Sequence, residues 1–340
     1  MTTHLSILPN WLGDLVMATP ALRRFGAGVR HVVAGEPGLV ELATDLGLCD
    51  DAVVIDRRGT DRSWRRWPSI ARRLRAVDPA RALVLGPSSR AAFWSVLSGA
   101  PERRGVGGEA REVFLTEVHR VPGGLRSRHL SQTWWEIAGG RGACPRPRWD
   151  GGPRARAGFD ALAGEVDVLH RPYAVFAAGA TYGPTKRWPE ASFAEVARVV
   201  HDEWGWIPVL VGSGAEREVV TAERIAARSG GISLAGRTDL PTLVEVLRRA
   251  RCFVGNDSGP MHVAAACGTP TVGVFGSTSP TWTAPRGEQA VAVGPAPVTC
   301  SPCFRSDCPY DLECLRNLEP ATVLAALDRL LGAVDGEAGA

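Results

Sequence analysis

The sequence predicts an α/β protein made of two doubly wound domains, and three observations support that class. The chain has 340 residues, which exceeds the size at which one hydrophobic core usually stops growing. Short aliphatic and β-branched segments alternate with helical patterns, and this alternation starts twice along the chain. Such alternation is typical of parallel sheets joined by right-handed helical crossovers. Between the two series, residues 139–152 are rich in Gly, Pro and Arg, which indicates the approach to a linker.

The first series predicts four strands, each a short apolar run, and four helices with apolar residues at helical spacing. These strands are residues 5–8, 31–34, 52–55 and 82–85, and the helices are residues 15–25, 39–46, 67–76 and 91–97. The second series predicts strands at 173–177, 207–211, 232–234, 252–254 and 271–275, with helices at 192–203, 215–227, 240–250 and 260–266. A last helix at 320–331 precedes a tail of Gly, Ala and Glu that we expect to fray.

The expected domains are therefore residues 1–168 and 169–319, followed by a C-terminal helix and tail at 320–340. The hinge is expected between the stretch 139–152 and Arg171-Pro172. Two doubly wound domains that face each other create a cleft where the carboxyl ends of their strands converge, and ligands bind at such places.

Composition and charge narrow the class of protein. Hydrophobic residues make up 45% of the chain and charged residues 22%, which is ordinary for a globular protein. No apolar run has the ~20 residues of a membrane-spanning helix, and the N-terminus lacks the pattern of a signal peptide. We therefore expect a cytoplasmic protein. Residues 1–150 carry 22 Arg against 15 Asp and Glu, whereas residues 151–340 carry 17 basic against 21 acidic residues. A basic first half suits a phosphorylated glycolipid, an anionic membrane face or nucleic acid, or is simply a solvated surface.

Lysine occurs once, at Lys186, against 38 arginines. Because Arg usually replaces Lys freely on surfaces, the survival of this lysine favours a site that needs a compact ammonium rather than a planar guanidinium. Chance survival is the alternative.

Four loops that follow predicted strands carry the candidate site residues. The first, PNWLGD, ends at Asp14, which is expected at the mouth of the cleft and, taken alone, is best explained as the N-cap residue of the next helix. It lacks the G-x-G-x-x-G pattern of a dinucleotide site. The second loop, GATYGPTKRWP, combines glycines, Thr181, Thr185 and Lys186, a set suited to a diphosphate, although its spacing is not that of an NTPase.

The third and fourth loops belong to the second series. The third, GSGAE, offers Glu216 either to ribose hydroxyls or to solvent. The fourth, GNDSGPMH, runs into a helix of small residues, whose first amides form an anion site. Asp257 and Ser258 in that loop could instead cap the helix.

These loops resemble those of the ADP-heptose:lipopolysaccharide heptosyltransferases of glycosyltransferase family 9, and are most similar to the heptosyltransferase II type. The matching segments are PNWLGDLVMATP, GATYGPTKRWP, GSGAE, LAGRTDL, VGNDSGPMHVAAACGTPTVGVFGSTSP and CSPCFRSDCPYDLECLRNL. They occur in order over residues 5–318, whereas the segment 56–150 is less recognisable. The matching segments therefore specify the class of the donor more closely than the acceptor.

The resemblance implies a GT-B fold, with two Rossmann-like domains facing a central cleft, and an inverting transfer that requires neither a metal nor another cofactor. It implies ADP-heptose and a phosphorylated lipopolysaccharide core as partners, peripheral contact with the cytoplasmic face of the inner membrane, and no nucleic acid. Asp14 becomes the general base and Lys186 the positive charge beside the leaving diphosphate. The donor is bound by further residues of the second domain: Thr181, Thr185, Glu216, Asp257, Ser258, Gly259 and His262. For the acceptor we expect an Arg-rich stretch: Arg57, Arg58, Arg62, Arg65 and Arg66.

Four of the eight cysteines form a cluster, Cys300-x2-Cys303-x4-Cys308-x5-Cys314. Disulfides are not expected in a cytoplasmic protein. Four thiolates suffice for zinc, but the later spacings are irregular for a zinc ribbon, so buried or loosely packed thiols are the other interpretation.

The resemblance thus implies an inverting transfer of L-glycero-D-manno-heptose from ADP-heptose to the heptose of the lipopolysaccharide inner core. The alternatives are a family 9 transferase with another sugar or acceptor, a nucleotide-sugar epimerase of GT-B-like fold, and a binding protein without catalysis. The presence of both Asp14 and Lys186 argues against the last of these.

Overall fold

The computed structural model describes residues 1–57, 59–86, 88–108 and 110–337. It confirms the α/β class, with two parallel sheets of six strands each. The chain divides into two compact units, Met1–Pro147 and Arg148–Ala340. No helix within the described ranges is both long and apolar enough to cross a membrane.

The first unit contains six parallel strands and five α-helices in its described residues. The strands are β1 (Thr3–Ile7), β2 (Arg30–Gly35), β3 (Asp51–Val54), β4 (Arg81–Val84), β5 (Glu102–Val106) and β6 (Glu117–His119). The helices are α1 (Leu12–Gly26), α2 (Pro37–Asp45), α3 (Trp67–Arg75), α4 (Ser89–Leu97) and α5 (Leu130–Ile137).

The sheet of this unit has the order β3-β2-β1-β4-β5-β6, so the winding direction reverses between β1 and β4. Leu5 and Ile7 of β1 are almost fully buried, as are Val32 of β2 and Ala82 of β4, which explains why these central strands are apolar. Ligands of doubly wound sheets bind where the carboxyl ends of such neighbouring strands diverge. In this unit that place is the end of β1, where α1 begins.

The second unit contains the remaining elements. Its strands are β7 (Tyr173–Ala177), β8 (Ile207–Leu210), β9 (Ile232–Ser233), β10 (Phe253–Asn256), β11 (Thr271–Val274) and β12 (Ala290–Val293). Its helices are α6 (Pro153–Glu165), α7 (Glu190–Asp202), α8 (Glu216–Ser229), α9 (Leu240–Arg248), α10 (Gly259–Ala266), α11 (Pro280–Thr283), α12 (Glu313–Arg316) and α13 (Pro320–Glu337).

The order of the second sheet, β12-β11-β10-β7-β8-β9, places the reversal between β7 and β10. All five residues of β7 are buried, and Phe253 of β10 pairs in register with Val175 of β7. Gly255 keeps β10 close to its neighbours, since a Cβ there would lie 3.1 Å from the carbonyl oxygen of Ala177. The loops after β7, β10 and β11 therefore leave the same edge of the sheet side by side.

The boundary between the units lies at Pro147/Arg148, earlier than the expected end of the first domain at residue 168. The reason is the packing of α6 on α9 of the second unit. A Cβ at Gly158 would lie 2.2 Å from Oγ1 of Thr242, and the guanidinium carbon of Arg249 lies 4.3 Å from the ring centroid of Phe159. The last helix, α13, also belongs to this unit, because its residues Val323 and Leu327 are fully buried in the core of the unit.

Candidate active site

In the second unit, ionisable and hydroxyl side chains come together where the winding direction of the sheet reverses, between β7 and β10. Lys186, in the loop after β7, donates a hydrogen bond from Nζ to Oδ2 of Asp257, in the loop after β10, over 2.6 Å. The same ammonium lies 3.3 Å from the backbone oxygen of Asp257. Only 4% of the Asp257 side chain and 16% of the Lys186 side chain are exposed. A carboxylate at this depth requires a charged partner, and Lys186 supplies it.

Asp257 receives further support from the loop after β11. Thr278 donates from Oγ1 to Oδ2 of Asp257 over 2.7 Å, and Oγ1 of Thr283 lies 3.5 Å from the same oxygen. His262, buried in α10, lies with Nε2 4.0 Å from Oδ1 of Asp257. Oδ2 therefore binds the ammonium and a hydroxyl at short range. Asp257, which was expected to bind the donor, is thus the direct partner of Lys186.

The amino end of α10 lies beside this ion pair. Ser258 occupies the N-cap position in an extended conformation, yet its side chain does not cap the helix. Its Oγ is buried without a hydrogen-bond partner in the described part of the chain, and so is Oγ of Ser277 in the adjacent loop. Unpaired amides of a first helical turn, two uncommitted hydroxyls and an ammonium together form a site suited to a phosphate group.

Asn256, the last residue of β10, fixes the loop that carries Lys186. Its Oδ1 accepts from the backbone N–H of Trp188 over 3.0 Å, and its Nδ2 donates to the carbonyl oxygen of Ala178 over 2.7 Å. Both ends of the loop 178–188 are thus tied to one fully buried side chain. The role of Asn256 was not predictable from the sequence, because its partners lie 68 and 78 residues away along the chain.

The two threonines of that loop have different surroundings. Thr181 is exposed. Thr185 is 1% exposed and donates from Oγ1 to the carbonyl oxygen of Arg305 over 2.6 Å. The hydroxyl proton of Thr185 is therefore committed to the backbone of the cysteine-bearing segment in this structure.

The glutamate that hydrogen-bonds to the loop after β8 is Glu218, two residues beyond the Glu216 that was expected to bind the donor. Glu216 is the first residue of α8 and is exposed. Glu218 instead accepts from both N and Oγ of Ser213 over 2.8 Å each, and a Cβ at Gly179 would lie 2.7 Å from its Cδ. Glu218 thus links the loop after β8 to the start of the loop after β7.

Arg187, beside Lys186, is a further cation that the sequence analysis did not assign. Its Nη2 donates to the carbonyl oxygen of Ala180 over 3.0 Å, while its Nη1 is buried without a hydrogen-bond partner in the described residues. Burial, followed by repulsion from Arg217, lowers the pKa of Arg187. An arginine remains charged despite such a shift, so a second positive charge lies next to Lys186 in sequence.

In the first unit, Asp14 lies in the first turn of α1 and is partly buried. The N-cap residue is Trp11, whose carbonyl oxygen accepts from the N–H of Leu15 over 3.0 Å, so Asp14 is not the N-cap. At the third helical position, its carboxylate still interacts favourably with the positive end of the helix dipole. Asp14 therefore lies at the carboxyl edge of the first sheet, after its central strand.

The Arg-rich stretch of the first unit is only partly available for an acceptor. Arg57 donates from Nε to Oε1 of Glu36 over 2.5 Å and has about a quarter of its side chain exposed, at 23%. Arg62, Arg65 and Arg66 are exposed, and Arg58 lies outside the described residues.

The four clustered cysteines are free thiols that line one cavity of about 150 Å³. Thr185 and Ser277 line it as well. Sγ of Cys308 accepts from the backbone N–H groups of Tyr310 and Leu312 over 3.4 Å each, and burial raises the pKa of Cys314. In the described ranges, no group of three or more His, Cys, Asp or Glu side chains is placed to hold a metal ion.

Comparison with known proteins shows which protein family this chain resembles. The model of glycosyltransferase family 9 (heptosyltransferase) matches residues 67–313. Lipopolysaccharide heptosyltransferase 2 of Escherichia coli strain K12 is 30% identical over 310 residues, which cover 84% of this chain and 86% of that protein. Lipooligosaccharide heptosyltransferase 2 of Haemophilus ducreyi is 30% identical over 230 residues, covering 62% of this chain and 65% of that protein.

Solved structures agree with the fold. The ADP-heptose lipopolysaccharide heptosyltransferase II of Escherichia coli superposes with a TM-score of 0.79 at 25% identity, covering 98% of this chain and all of that one. A family 9 glycosyltransferase from Veillonella parvula superposes with a TM-score of 0.83 at 19% identity, covering 97% of each chain. Because the family model spans most of the chain, and both units carry the Rossmann-like topology of the GT-B fold, this chain belongs to glycosyltransferase family 9, the heptosyltransferases.

Proposed function

We propose that this chain transfers L-glycero-D-manno-heptose from ADP-heptose to the heptose of the lipopolysaccharide inner core, as a heptosyltransferase of type II. The observation that carries the proposal is the 30% identity to lipopolysaccharide heptosyltransferase 2 over 84% of the chain. The Lys186–Asp257 pair beside the amino end of α10 supports it, because a nucleoside diphosphate leaving group needs fixed positive charge and N–H donors.

The donor diphosphate is assigned to the second unit. Lys186 donates to Oδ2 and to the backbone oxygen of Asp257, which leaves one N–H for a phosphate oxygen. Ser258 Oγ and the first amides of α10, beginning at Gly259, complete the anion site. His262 lies close enough to Asp257 to share its electrostatic environment. Thr181 and Glu216, both exposed, are assigned to the outer parts of the donor.

The reaction is proposed as an inverting displacement. Asp14 takes the proton of the acceptor hydroxyl while the bond from the anomeric carbon to the diphosphate breaks, and Lys186 neutralises the charge that grows on the departing oxygen. General-base and leaving-group assistance of this kind fit the oxocarbenium character of glycosyl transfer. The base is thus assigned to the first unit and the leaving-group charge to the second.

The acceptor is assigned to the first unit. The exposed Arg62, Arg65 and Arg66 offer planar, permanently charged groups for the phosphates of a lipopolysaccharide core. The same charge excess supports peripheral contact with the anionic face of the inner membrane, the place where such an acceptor is embedded.

The decisive experiment is product analysis with defined acceptors. Purified protein is incubated with ADP-heptose and a lipopolysaccharide core that ends at its first heptose. We expect one ADP released for each acceptor that gains the mass of one heptose. A core that lacks any heptose serves as the control and should not be extended.

Other products would identify the alternatives. Transfer to the heptose-free core, or from another nucleotide sugar only, would indicate a different member of family 9. Isomerisation of a UDP-sugar without acceptor would indicate an epimerase, and tight ADP binding without any product would indicate a binding protein.

A further inference from the structure

The segment that carries the four cysteines touches the Lys186 loop at three successive positions. Tyr182 donates from its hydroxyl to the carbonyl oxygen of Phe304 over 2.7 Å, and Thr185 donates to that of Arg305 over 2.6 Å. Between them, Gly183 has φ 153°, and a Cβ there would lie 3.0 Å from the carbonyl oxygen of Ser306. The loop and the segment therefore fit together along their backbones.

The other side of the same segment holds the loop after β11. The backbone N–H of Phe304 donates to the carbonyl oxygen of Ser277 over 2.8 Å, and Ser301 donates from Oγ to that of Gly276 over 2.6 Å. The ring of Phe304 also packs edge-on against Trp282, with centroids 5.8 Å apart. The segment thus spans the distance between the loops that follow β7 and β11.

Two of these anchoring contacts lie one residue from a partner of Asp257. Thr185 precedes Lys186, whose ammonium binds Asp257. Ser277 precedes Thr278, whose hydroxyl binds the same carboxylate oxygen. A shift of Phe304 and Arg305 would therefore move both partners of Asp257. Catalytic groups lose much of their effect when displaced by ~1 Å, because their transition-state interactions depend steeply on geometry.

We propose that the segment Cys300–Cys314 is a positioning element of the donor site, which sets the Lys186 ammonium against Asp257 through the carbonyls of Phe304 and Arg305. In this arrangement Thr185 affects the reaction by its hydrogen bond to the segment, which positions Lys186, and not by contacting the donor. The kinetic part of this inference rests on the proposed transferase function, whereas the coupling of loop and segment does not.

The test compares three threonine variants. Thr185→Val removes the hydroxyl at nearly constant volume, and Thr185→Ser restores it. Thr269→Val is the matched control, since Thr269 is also buried and also donates to a backbone carbonyl, that of Leu247, over 2.7 Å. We expect Thr185→Val to lower kcat by about tenfold to a hundredfold with less than a threefold change in KM for ADP-heptose. Thr185→Ser should recover most of kcat, and Thr269→Val should retain it.

A second readout does not depend on activity. Cys300, Cys303 and Cys308 line the cavity that Thr185 also lines. The rate at which N-ethylmaleimide alkylates these thiols therefore reports whether the segment stays packed against the Lys186 loop. Peptide mass spectrometry should show faster labelling of these thiols in Thr185→Val than in the wild type, and no change in Thr269→Val.

The outcomes separate the possibilities. Wild-type kcat and wild-type labelling in Thr185→Val would overturn the positioning role. A raised KM for the donor in both Thr185 variants, with unchanged labelling, would overturn it in favour of direct donor binding. If no variant transfers heptose, the proposed function fails, and the labelling rates alone decide whether the loop and the segment are coupled.

Discussion

Lysine occurs once in this chain, against 38 arginines, and the structure pairs it with Asp257 over 2.6 Å. The sequence singled out Lys186 by its rarity and Asp257 by its loop. It did not join them, because 71 residues separate the two and only the fold brings β7 beside β10. The surroundings explain why a compact cation suits this place. The Tyr182 ring lies 5.2 Å from Nζ, and the backbone turns at Gly183, three residues before the lysine.

Lys186 should therefore tolerate neither Arg nor Ala. Lys186→Arg keeps the charge, but its larger planar group has to fit beside the buried carboxylate of Asp257, so we expect a lower kcat. Lys186→Ala should lower kcat further, by about 10²–10³-fold, comparable to the loss of an oxyanion-hole donor. Steady-state kinetics with saturating acceptor should show a larger effect on kcat than on donor affinity, because the leaving-group charge grows in the transition state. Wild-type kcat in Lys186→Arg would mean that the lysine is an accident of composition.

Asp14→Asn tests the assignment of the general base. The amide retains the shape of the side chain, and since Trp11 holds the N-cap position, the start of α1 should persist. The change removes a favourable helix-dipole interaction of about 0.3–1 kcal/mol, which is too little to unfold the unit. We expect kcat to fall by about 10²–10⁴-fold while calorimetry shows unchanged ADP affinity. Turnover within a few-fold of the wild type would reduce Asp14 to a stabiliser of the helix end.

At the scale of elements, the buried apolar strands were predictable, whereas β5 and β6, which carry charged residues, were not. The predicted strands at 5–8, 31–34 and 173–177 lie within two residues of β1, β2 and β7, whose side chains are buried on both faces. The strand β5 reads Glu-Arg-Arg-Gly-Val and was missed, because its charged residues pair across the sheet instead of forming an apolar run. Arg104 binds Glu117 of β6 over 2.9 Å, and Glu102 binds Arg81 of β4 over 2.8 Å.

The pairing of β1 with β2 encloses a histidine that we expect to make the first unit sensitive to acid. His31 is 3% exposed, and its ring bonds to Ser6 Oγ over 2.8 Å and to the carbonyl oxygen of Leu48 over 3.0 Å. Burial lowers the pKa of His31 from 6.5 to about 4. The hydrogen bond to Leu48 opposes this shift, the nearby His4 adds to it, and Asp50 opposes it.

Stability of the first unit should therefore fall as pH drops from about 6.5 to about 4, because the unfolded chain binds the His31 proton in that window and the folded one does not. The loss, about 3 kcal/mol, should be complete below pH 4 and absent above pH 6.5. Thermal unfolding of wild type and His31→Gln across this range should show a shallower slope for the variant. His170→Gln, an exposed histidine of the second unit, is the control and should keep the wild-type slope. Equal slopes in wild type and His31→Gln would refute the assignment.

At the scale of the molecule, the two-domain organisation and the family were predictable, and the domain boundary was not. The Pro- and Gly-rich stretch 139–152 marks the end of the first unit correctly, but α6 gives no sign in its sequence of which unit it joins. That choice depends on the contact of Gly158 with Thr242 and of Phe159 with Arg249, residues about 85–90 positions away in the chain. The composition showed that the first half of the chain is basic and the second half slightly acidic. In the structure these halves correspond to two units, each with its own hydrophobic core.

Because the first unit is basic, we expect the KM for an anionic acceptor to depend on the salt concentration. Arg65 and Arg66 are exposed on the basic first unit, so a charged acceptor has access to both. Arg65→Gln/Arg66→Gln should raise the acceptor KM several-fold at ~10 mM salt, where the screening length is ~30 Å, and much less at ~150 mM, where it is ~8 Å. KM for ADP-heptose should not change. Arg224→Gln/Arg228→Gln, which removes the same charge from the exposed face of α8 in the second unit, is the matched control and should leave the acceptor KM unaltered. An acceptor KM that is equal in the wild type and the Arg65/Arg66 variant at every ionic strength would show that the stretch is solvated surface, and the acceptor would then have to be recognised by other residues.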